Sequence, residues 1–383
     1  MKKICVITGT RAEYSLLRFL IKGINESKHL QLNLVVTGSH LSNKFGLTYK
    51  DIEADGFQIN HKIKILNDSD TSESISKSMG RLMGKLADVF KKEKPKLVLI
   101  LGDRYEIFAA ATSAMIARIP IAHIQGGEKT EGAFDDAIRH SITKMSYFPF
   151  VAHKEYRKRV IQLGEDPKKI LTVGGLGVDC IKKTQLLSAQ ELQKSLNFVF
   201  GEKNLLVTFH PVTLEKYSSK FQMKELLSAL SELKKTNIIF TMPNADPENK
   251  VIISMIKKFV KKYNNSKLYP SLGQLRYLST ILYVDCVIGN SSSGLCEVPS
   301  FKKPTINIGN RQKGRIKTES IIDCDPNKTE ILKAIKKSYS DNFSKKLKFI
   351  KNPYGNGDAS KKILKYLEMQ KFTDSLKKSF VDL

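Results

Sequence analysis

The sequence predicts an α/β protein built from two doubly wound, Rossmann-like domains, each around a parallel sheet. Three observations carry that prediction. Apolar runs such as Pro95-Lys96-Leu97-Val98-Leu99-Ile100-Leu101 stop abruptly at a glycine, as expected of strands buried on both faces. Amphipathic segments alternate with these runs, and a βαβα rhythm implies a parallel sheet covered by helices on both sides. The rhythm breaks at the glycine-dense stretch Val173-Gly174-Gly175-Leu176-Gly177-Val178-Asp179 and then restarts, which suggests a hinge. With 383 residues, 41% of them hydrophobic, the chain is long enough for two domains with real cores. The expected boundaries are 1–175 for a first domain and 176–354 for a second. A helical tail over 355–383 is expected to pack back on the first.

Taken in order, Ile4–Thr8 reads as the first strand, followed by a helix over Ala12–Ile24 with Leu16, Leu17, Leu20 and Ile21 on one face. Leu32–Thr37 is the next strand, and Ser72–Lys91 a long helix. After the Pro95–Leu101 run, Ile107, Ala110, Ala111 and Ala114 mark a helix. Ile119–Ile124 is a strand, and a helix covers Phe134–Met145. In the second half, strands are expected at Asn204–Phe209, Asn237–Met242, Leu282–Ile288 and Lys303–Ile308. From about Thr329 the pattern is helical and very basic. The last 15 or so residues carry little pattern and are expected to fray. No internal repeat or low-complexity tract is visible.

Composition excludes several classes. No apolar run reaches the roughly 18 residues that span a bilayer. The apolar start breaks at Gly9-Thr10-Arg11, too soon for a signal peptide. The expectation is therefore a cytoplasmic protein with no membrane partner. Cys5, Cys180, Cys286, Cys296 and Cys324 form no CxxC pair, so neither zinc nor a disulfide framework is indicated, and no metal site is expected. His29, His40, His61 and His153 show no metal-ligand spacing, and His123 reads as packed within a strand. The net charge of +26 is spread along the chain, without a basic stripe or aromatic interleaving. A lysine-rich solvated surface accounts for it, and the same field would steer an anionic substrate. No nucleic-acid partner is expected.

The chemistry-bearing residues cluster at strand ends, where an open α/β sheet puts its ligand site. Gly9-Thr10-Arg11-Ala12-Glu13 turns strand into helix, and its N–H groups with Arg11 could hold a phosphate. An ordinary glycine turn with a solvated arginine fits equally well. The stretch lacks GxGxxG, so a dinucleotide cofactor is poorly supported and none is expected. Gly289-Asn290-Ser291-Ser292-Ser293-Gly294 repeats that arrangement, with Glu297 expected in the first helical turn. A serine N-cap with a dipole-favouring glutamate is the alternative. Asp103, Glu128 and Asp135 are the candidate acids and bases, accompanied by Arg104, Arg139 and His140. Singly, each carboxylate has a bland reading: an Asp103–Arg104 pair, or Asp135 as a helix cap. His210, between an apolar strand and a proline, sits on a ligand-facing loop or is structural.

Together these segments resemble one family. Gly9 through Tyr14, Gly102-Asp103-Arg104-Tyr105-Glu106, Gly126-Gly127-Glu128, Asp135 through Lys144, and Gly289 through Gly294 are similar, in order and spacing, to the hydrolysing UDP-N-acetylglucosamine 2-epimerases of sialic acid synthesis. The resemblance runs from Lys2 to about Tyr354. Gln125 departs from the His or Glu that relatives often carry there. The resemblance implies a glycosyltransferase-B-type architecture with an interdomain cleft. It implies conversion of UDP-N-acetylglucosamine and water to UDP and N-acetylmannosamine, without a cofactor. It also implies a homo-oligomer, dimer or tetramer. For the site it implies Asp103, Glu128, Asp135 and His210 as catalytic residues. Arg11, Ser15, Arg104, Arg139, Asn244, Ser291, Ser292, Ser293, Gly294, Glu297 and Arg315 would then contact UDP and sugar.

Four rival readings follow from the same residues. A UDP-linked 2,4-diacetamido-trideoxyhexose would use the same catalytic set. A non-hydrolysing epimerase would return UDP to the intermediate. A glycosyltransferase on this fold would leave the second sugar carbon untouched. A non-catalytic binder of nucleotide or nucleic acid is suggested by charge alone, and steep salt-dependent binding would mark it.

Overall fold

The computed structural model describes residues 1–66, 71–130, 135–212, 218–243, 249–372 and 376–382. It divides into two compact units. The first comprises Met1–Glu128, Asp135–Cys180 and Tyr354–Leu383, and the second Lys129–Phe134 and Ile181–Pro353.

Among the described residues of the first unit, β1 (Lys2–Thr8), β2 (Leu30–Thr37), β3 (His61–Ile63), β4 (Leu97–Leu101), β5 (Ile121–Ile124), β6 (Phe148–Val151) and β7 (Leu171–Thr172) form one parallel sheet. Its order is β3-β2-β1-β4-β5-β6-β7. The helices between them are α1 (Arg11–Glu26), α2 (Tyr49–Ala54), α3 (Ser72–Glu93), α4 (Tyr105–Ile116), α5 (Asp135–Met145) and α6 (Lys154–Gln162). The continuous apolar strands have a direct cause. Along β1, Ile4 and Val6 enter the core formed with Leu17, Leu20 and Ile21 of α1, whereas Cys5 and Ile7 enter the opposite core with Leu82 and Leu86 of α3. Both faces are dry, so alternation with polar residues would bury unpaired groups.

The second unit repeats the plan. The strands β8 (Lys203–Thr208), β9 (Thr236–Thr241), β10 (Ser266–Tyr269), β11 (Cys286–Gly289), β12 (Thr305–Ile308) and β13 (Ile321–Cys324) pair in parallel in the order β10-β9-β8-β11-β12-β13. In both sheets the first strand pairs with the second on one side and the fourth on the other. Connections therefore leave in opposite directions at β1/β4 and at β8/β11, the switch points where doubly wound sheets take ligands.

Several sequence expectations need correction. The run Leu282–Ile288 is not one strand: Leu282 and Tyr283 finish a helix, Gly273–Tyr283, and β11 begins at Cys286. The glycine-rich stretch at Val173–Asp179 lies at the end of a segment of the first unit and is hydrogen-bonded within it. Gly175 N–H donates to the Tyr354 carbonyl at 2.7 Å. The helix Leu176–Lys183 follows at once, with the buried Asp179 carboxylate accepting from the N–H groups of Ala359 and Ser360. The end of the chain is also held. Helix Ala359–Met369 buries Ile363 and Leu367 in the α1 core. The Lys2 ammonium caps that helix through the carbonyls of Leu367, Glu368 and Gln370 at 2.6–3.2 Å. Further on, Lys378 bonds the carbonyls at the end of α5 instead of fraying.

Candidate active site

At the β1/β4 switch point the chain leaves β1 through Gly9 and Thr10. The Thr10 hydroxyl caps α1 by accepting the Glu13 N–H at 3.3 Å. Glu13 turns back so that its Oε2 accepts the Gly9 N–H at 2.8 Å. A carboxylate thus fills the turn that the sequence offered to a phosphate. The other oxygen, Oε1, is buried without a hydrogen-bond partner. Burial first, then the neighbouring Glu106 carboxylate, pushes the Glu13 carboxyl up to about 8. Arg11 and Ser15, one turn apart on α1, are both half-buried, and the Ser15 carbonyl accepts the Cys180 thiol at 3.1 Å.

Beside it, β4 ends at Gly102, whose φ of +85° suits glycine, and delivers Asp103 and Arg104. Each of these two has a partner outside the dipeptide. Arg104 Nε donates to Glu106 Oε2 at 3.3 Å, and Glu106 itself is 1% exposed. Asp103 instead receives a short, charge-assisted bond from Arg139 Nη2. Arg139, in the second turn of α5, is 2% exposed and is the hub of the site. Its Nη1 donates to the Glu128 carbonyl at 2.8 Å and approaches Asp136 Oδ1 at 3.4 Å. One guanidinium thus joins the loop after β4, the loop after β5 and the start of α5. Asp135 opens α5 and is half-buried. His140 lies 3.4 Å from Asp136, and burial lowers its pKa.

The loop after β5 is shaped by its glycines. Gly127 has φ +75°, and a Cβ there would stand 2.5 Å from the Tyr156 carbonyl. Gly126 packs 3.0 Å from the Thr143 hydroxyl by the same test. The residue before them, Gln125, holds φ +71° without being glycine, a strained conformation of the kind that collects at functional sites. Glu128, at the end of this turn, is 5% exposed. His123, on β5, is packed as the sequence suggested. It bonds the Gly102 carbonyl at 2.8 Å and the Thr143 hydroxyl at 3.1 Å, and burial brings its pKa down to about 4. A neutral ring with its proton on Nε2 satisfies the Gly102 carbonyl.

At the β8/β11 switch point, Gly289 has φ +139°, and a Cβ there would lie 1.9 Å from the Thr208 carbonyl oxygen. Only glycine lets β11 pass β8 this closely. Asn290 then brackets His210: its Oδ1 accepts the His210 N–H at 2.7 Å and its Nδ2 donates to the His210 carbonyl at 2.8 Å. His210 is buried and, with Arg311 nearby, its pKa falls to about 3, so the ring is neutral at pH 7. The Asn290 carbonyl accepts from Arg311 at 3.1 Å and Gln312 at 2.8 Å, which fixes the loop carrying Arg315. Arg315 donates to the Thr130 hydroxyl at 3.2 Å.

Ser291 and Ser292 are half-buried, and Gly294 packs with its carbonyl accepting the Thr305 hydroxyl at 2.8 Å. Glu297 is not in a first helical turn. The helix is the single turn Ser293–Cys296, Ser292 makes no side-chain cap, and Glu297 stands at its C-terminal end. There it accepts a short bond from the Ser293 hydroxyl, which in turn accepts from the Tyr277 hydroxyl at 2.9 Å. Burial raises the Glu297 carboxyl. Asn244 lies outside the described residues. Among the described residues no group of three His, Cys, Asp or Glu is placed to hold a metal ion.

The structure thus gathers Asp103, Arg139 and the Glu128 backbone into one network in the first unit. It gathers His210, Asn290 and the serine turn in the second. Sequence reading missed Glu13, Glu106 and Asn290 as site builders. Glu13 and Glu106 each open a helix, at N3 and N2, where an acid reads as dipole compensation.

Two doubly wound parallel sheets, each with polar side chains gathered at its switch point, define the class as an α/β protein with its sites at the strand ends. A family model described as UDP-N-acetylglucosamine 2-epimerase matches residues 22–368, and the chain belongs to that family. It is 43% identical over its whole length to the GDP/UDP-N,N'-diacetylbacillosamine 2-epimerase (hydrolyzing) of Campylobacter jejuni, covering 99% of that protein. It is 42% identical over 92% of its length to the polysialic acid biosynthesis protein P7 of Escherichia coli, covering 90% of it. Among solved structures, the fold matches the Neisseria meningitidis UDP-GlcNAc 2-epimerase bound to UDP-GlcNAc with a TM-score of 0.83, at 17% identity over 96% of this chain and 99% of that one. The glycosyltransferase-B-type, two-sheet fold expected from the sequence is therefore the fold of this chain. Among the described residues, no helix is long and apolar enough to cross a membrane.

Proposed function

We propose that the protein is a hydrolysing 2-epimerase of a UDP-linked 2-acetamido sugar, with UDP-N-acetylglucosamine as substrate and UDP and N-acetylmannosamine as products. The observation that carries this reading is the Arg139 network, which sets a half-exposed carboxylate, Asp103, beside the turn that delivers Glu128.

The chemistry explains why such a set is needed. The proton on the second sugar carbon lies beside an acetamido nitrogen, not a carbonyl, so it is not acidic. Departure of UDP develops oxocarbenium character at the anomeric carbon and makes that proton removable. One carboxylate takes the proton, the anomeric C–O bond breaks with its electron pair leaving on UDP, and a glycal remains. A second acid then returns a proton to the opposite face of the second carbon while water adds to the anomeric carbon; the proton that water loses restores that acid, and the first carboxylate releases its proton to solvent. Two acid/base groups on opposite faces are required, and Asp103, Glu128 and Asp135 supply the carboxylates. Arg11, Ser15, the Ser291–Gly294 turn, Arg315 and neutral His210 supply donors to the departing diphosphate. Arg104 orients the sugar end, and Asn244 and Glu297 contact the nucleotide. The net reaction is redox-neutral and calls for no nicotinamide.

A second substrate is favoured by a specific observation. The Campylobacter relative, and a Legionella pneumophila relative 32% identical over 96% of the chain, are both named for N,N'-diacetylbacillosamine. Proton NMR in deuterated water, with each sugar nucleotide supplied in turn, separates the readings. Free epimerised sugar plus UDP, with deuterium at the second carbon, supports hydrolytic epimerisation and identifies the substrate. Release of the UDP-linked epimer would replace it with the non-hydrolysing reaction. A cytoplasmic homo-oligomer completes the proposal. Its five free cysteines fit a reducing compartment, and light scattering on the purified protein tests the assembly.

A further inference from the structure

Residues 376–382 pack around a buried carboxylate, away from the groups assigned above. Glu165, three residues beyond α6, is 3% exposed. Two ammonium groups meet it. Lys144, in the last turn of α5, approaches at 3.0 Å as an ion pair, and Lys378 of the tail at 2.5 Å. Lys378 also donates to the carbonyls of Lys144 and Ser146, both at 2.7 Å, and so satisfies acceptors left open at the end of α5. Lys144 in turn donates to the Leu163 carbonyl at 2.9 Å and sits 4.5 Å from the centre of the Phe380 ring. Gly164 has φ +76°, and a Cβ there would stand 2.4 Å from that ring. The Val381 N–H closes the contact on the Gly164 carbonyl at 3.0 Å.

The two helices held this way are those that position the carboxylates. α5 carries Asp135 and Arg139, and through Arg139 holds Asp103 and the Glu128 carbonyl. α6 backs the Gly127 turn: Arg159 donates to the Gly127 carbonyl, and Tyr156 and Val160 pack where a Gly127 Cβ would stand. An α5 of 11 residues is too short to be rigid by itself, so its far end needs a tertiary anchor.

We infer that residues 376–382 are a strap that fixes the ends of α5 and α6, with Lys378 and Glu165 as positioning residues for the acid/base groups. The inference rests on reading Asp103, Glu128 and Asp135 as the reacting carboxylates. Its physical basis is that displacement of a reacting group by about an ångström can cost on the order of a hundredfold in rate.

Three variants test it: deletion of 376–383, Lys378→Ala and Lys378→Arg, with Glu128→Gln as control. Each is measured for kcat, KM, UDP affinity by calorimetry and amide exchange in 135–165. The expected result is a kcat loss of about tenfold to a hundredfold for the deletion and for Lys378→Ala. KM and UDP affinity stay unchanged, exchange quickens at the ends of α5 and α6, and Lys378→Arg restores most of the rate. Unchanged kcat and unchanged exchange in the deletion overturn the strap. So does a loss shared equally by kcat and UDP affinity, which would mark a general loss of structure. An active Glu128→Gln would sink the assignment of the carboxylates instead, and amide exchange would still decide the strap.

Discussion

The two switch points are built on the same strand order and carry opposite chemistry. At β1/β4 the loops present Glu13, Asp103, Glu106 and Glu128, tied by Arg104 and Arg139. At β8/β11 they present a neutral histidine, an asparagine and hydroxyl groups. On the proposed function the first is the proton-transfer region, because it gathers acidic side chains, Glu13, Glu106 and Glu128 among them buried. The second suits an anion, because it offers donors and close backbone approach with one acid, Glu297, already paired to Ser293. The lesson is that a doubly wound sheet fixes where a site lies, while loop side chains fix what it does.

The largest effect expected from breaking this contrast lies in the first unit. Glu128→Gln should lower turnover by about a hundredfold to ten-thousandfold, the usual worth of one acid/base group. UDP affinity should hold, because Glu128 is not among the groups assigned to the diphosphate or the nucleotide. Steady-state kinetics beside calorimetry with UDP checks both. Loss of UDP binding in this variant would erase the division of labour.

Next comes Gly289→Ala in the second unit. The new methyl would meet the Thr208 carbonyl at 1.9 Å, and alanine would be forced to φ +139°. The cost is expected to reach about 3 kcal/mol or more, from strain and overpacking combined. UDP binding should fall with it. Circular dichroism melting and calorimetry give both readings, and a Gly289→Ala protein that melts and binds like the parent would refute the close-approach account.

A smaller loss is expected for His210→Gln, about fivefold in kcat/KM, the cost of a weakened neutral donor of about 1 kcal/mol. The pH profile is the sharper readout. A histidine whose pKa is held to about 3 in the free protein should leave no limb near the ordinary histidine pKa in kcat/KM. A limb there that vanished in His210→Gln would show an exposed, titrating ring.

How far the sequence foretold these two regions differs in the same way. The central strands were legible because both faces are dry: Leu97–Leu101 and Ile4–Thr8 leave no other reading. The outer strands were not. His61–Ile63, Leu171–Thr172 and Ser266–Tyr269 are short and half-polar, and Phe148–Val151 contains a proline, which argues against an interior strand. In the sites, glycine-bounded motifs marked the loops, whereas partners did not follow from proximity in sequence. Asp103 is bonded by Arg139, 36 residues away. Glu13 folds back on Gly9 rather than facing solvent. Glu165 and Lys378 carried no motif, since a buried ion pair between distant segments leaves no local pattern.

The smallest effect is a pH dependence of stability that the two regions share unequally. His40 and His123, in the first unit, are held by burial to about 4, and His210, in the second, to about 3. Unfolded histidines titrate near 6.5, so below that pH the unfolded chain binds protons that the folded chain refuses. Stability therefore falls as pH drops from about 6.5 toward 4, each histidine adding to the slope. Glu13 acts in the other sense. Its carboxyl is raised to about 8, so the folded chain keeps a proton that the unfolded chain loses above about 4.5, and stability declines as pH rises from there to 8. Between 4.5 and 6.5 the buried histidines, with His140 and His153 lowered in the same sense, outweigh the raised carboxyls of Glu13 and Glu297, and above 6.5 the raised carboxyls oppose stability. Thermal stability should thus peak near pH 6.5, and Glu13→Gln should flatten the alkaline side while leaving the acid side steep. Melting curves from pH 4.5 to 8.5 on both proteins measure it. An alkaline decline that persisted undiminished in Glu13→Gln would remove the buried Glu13 carboxyl from the first switch point's electrostatics.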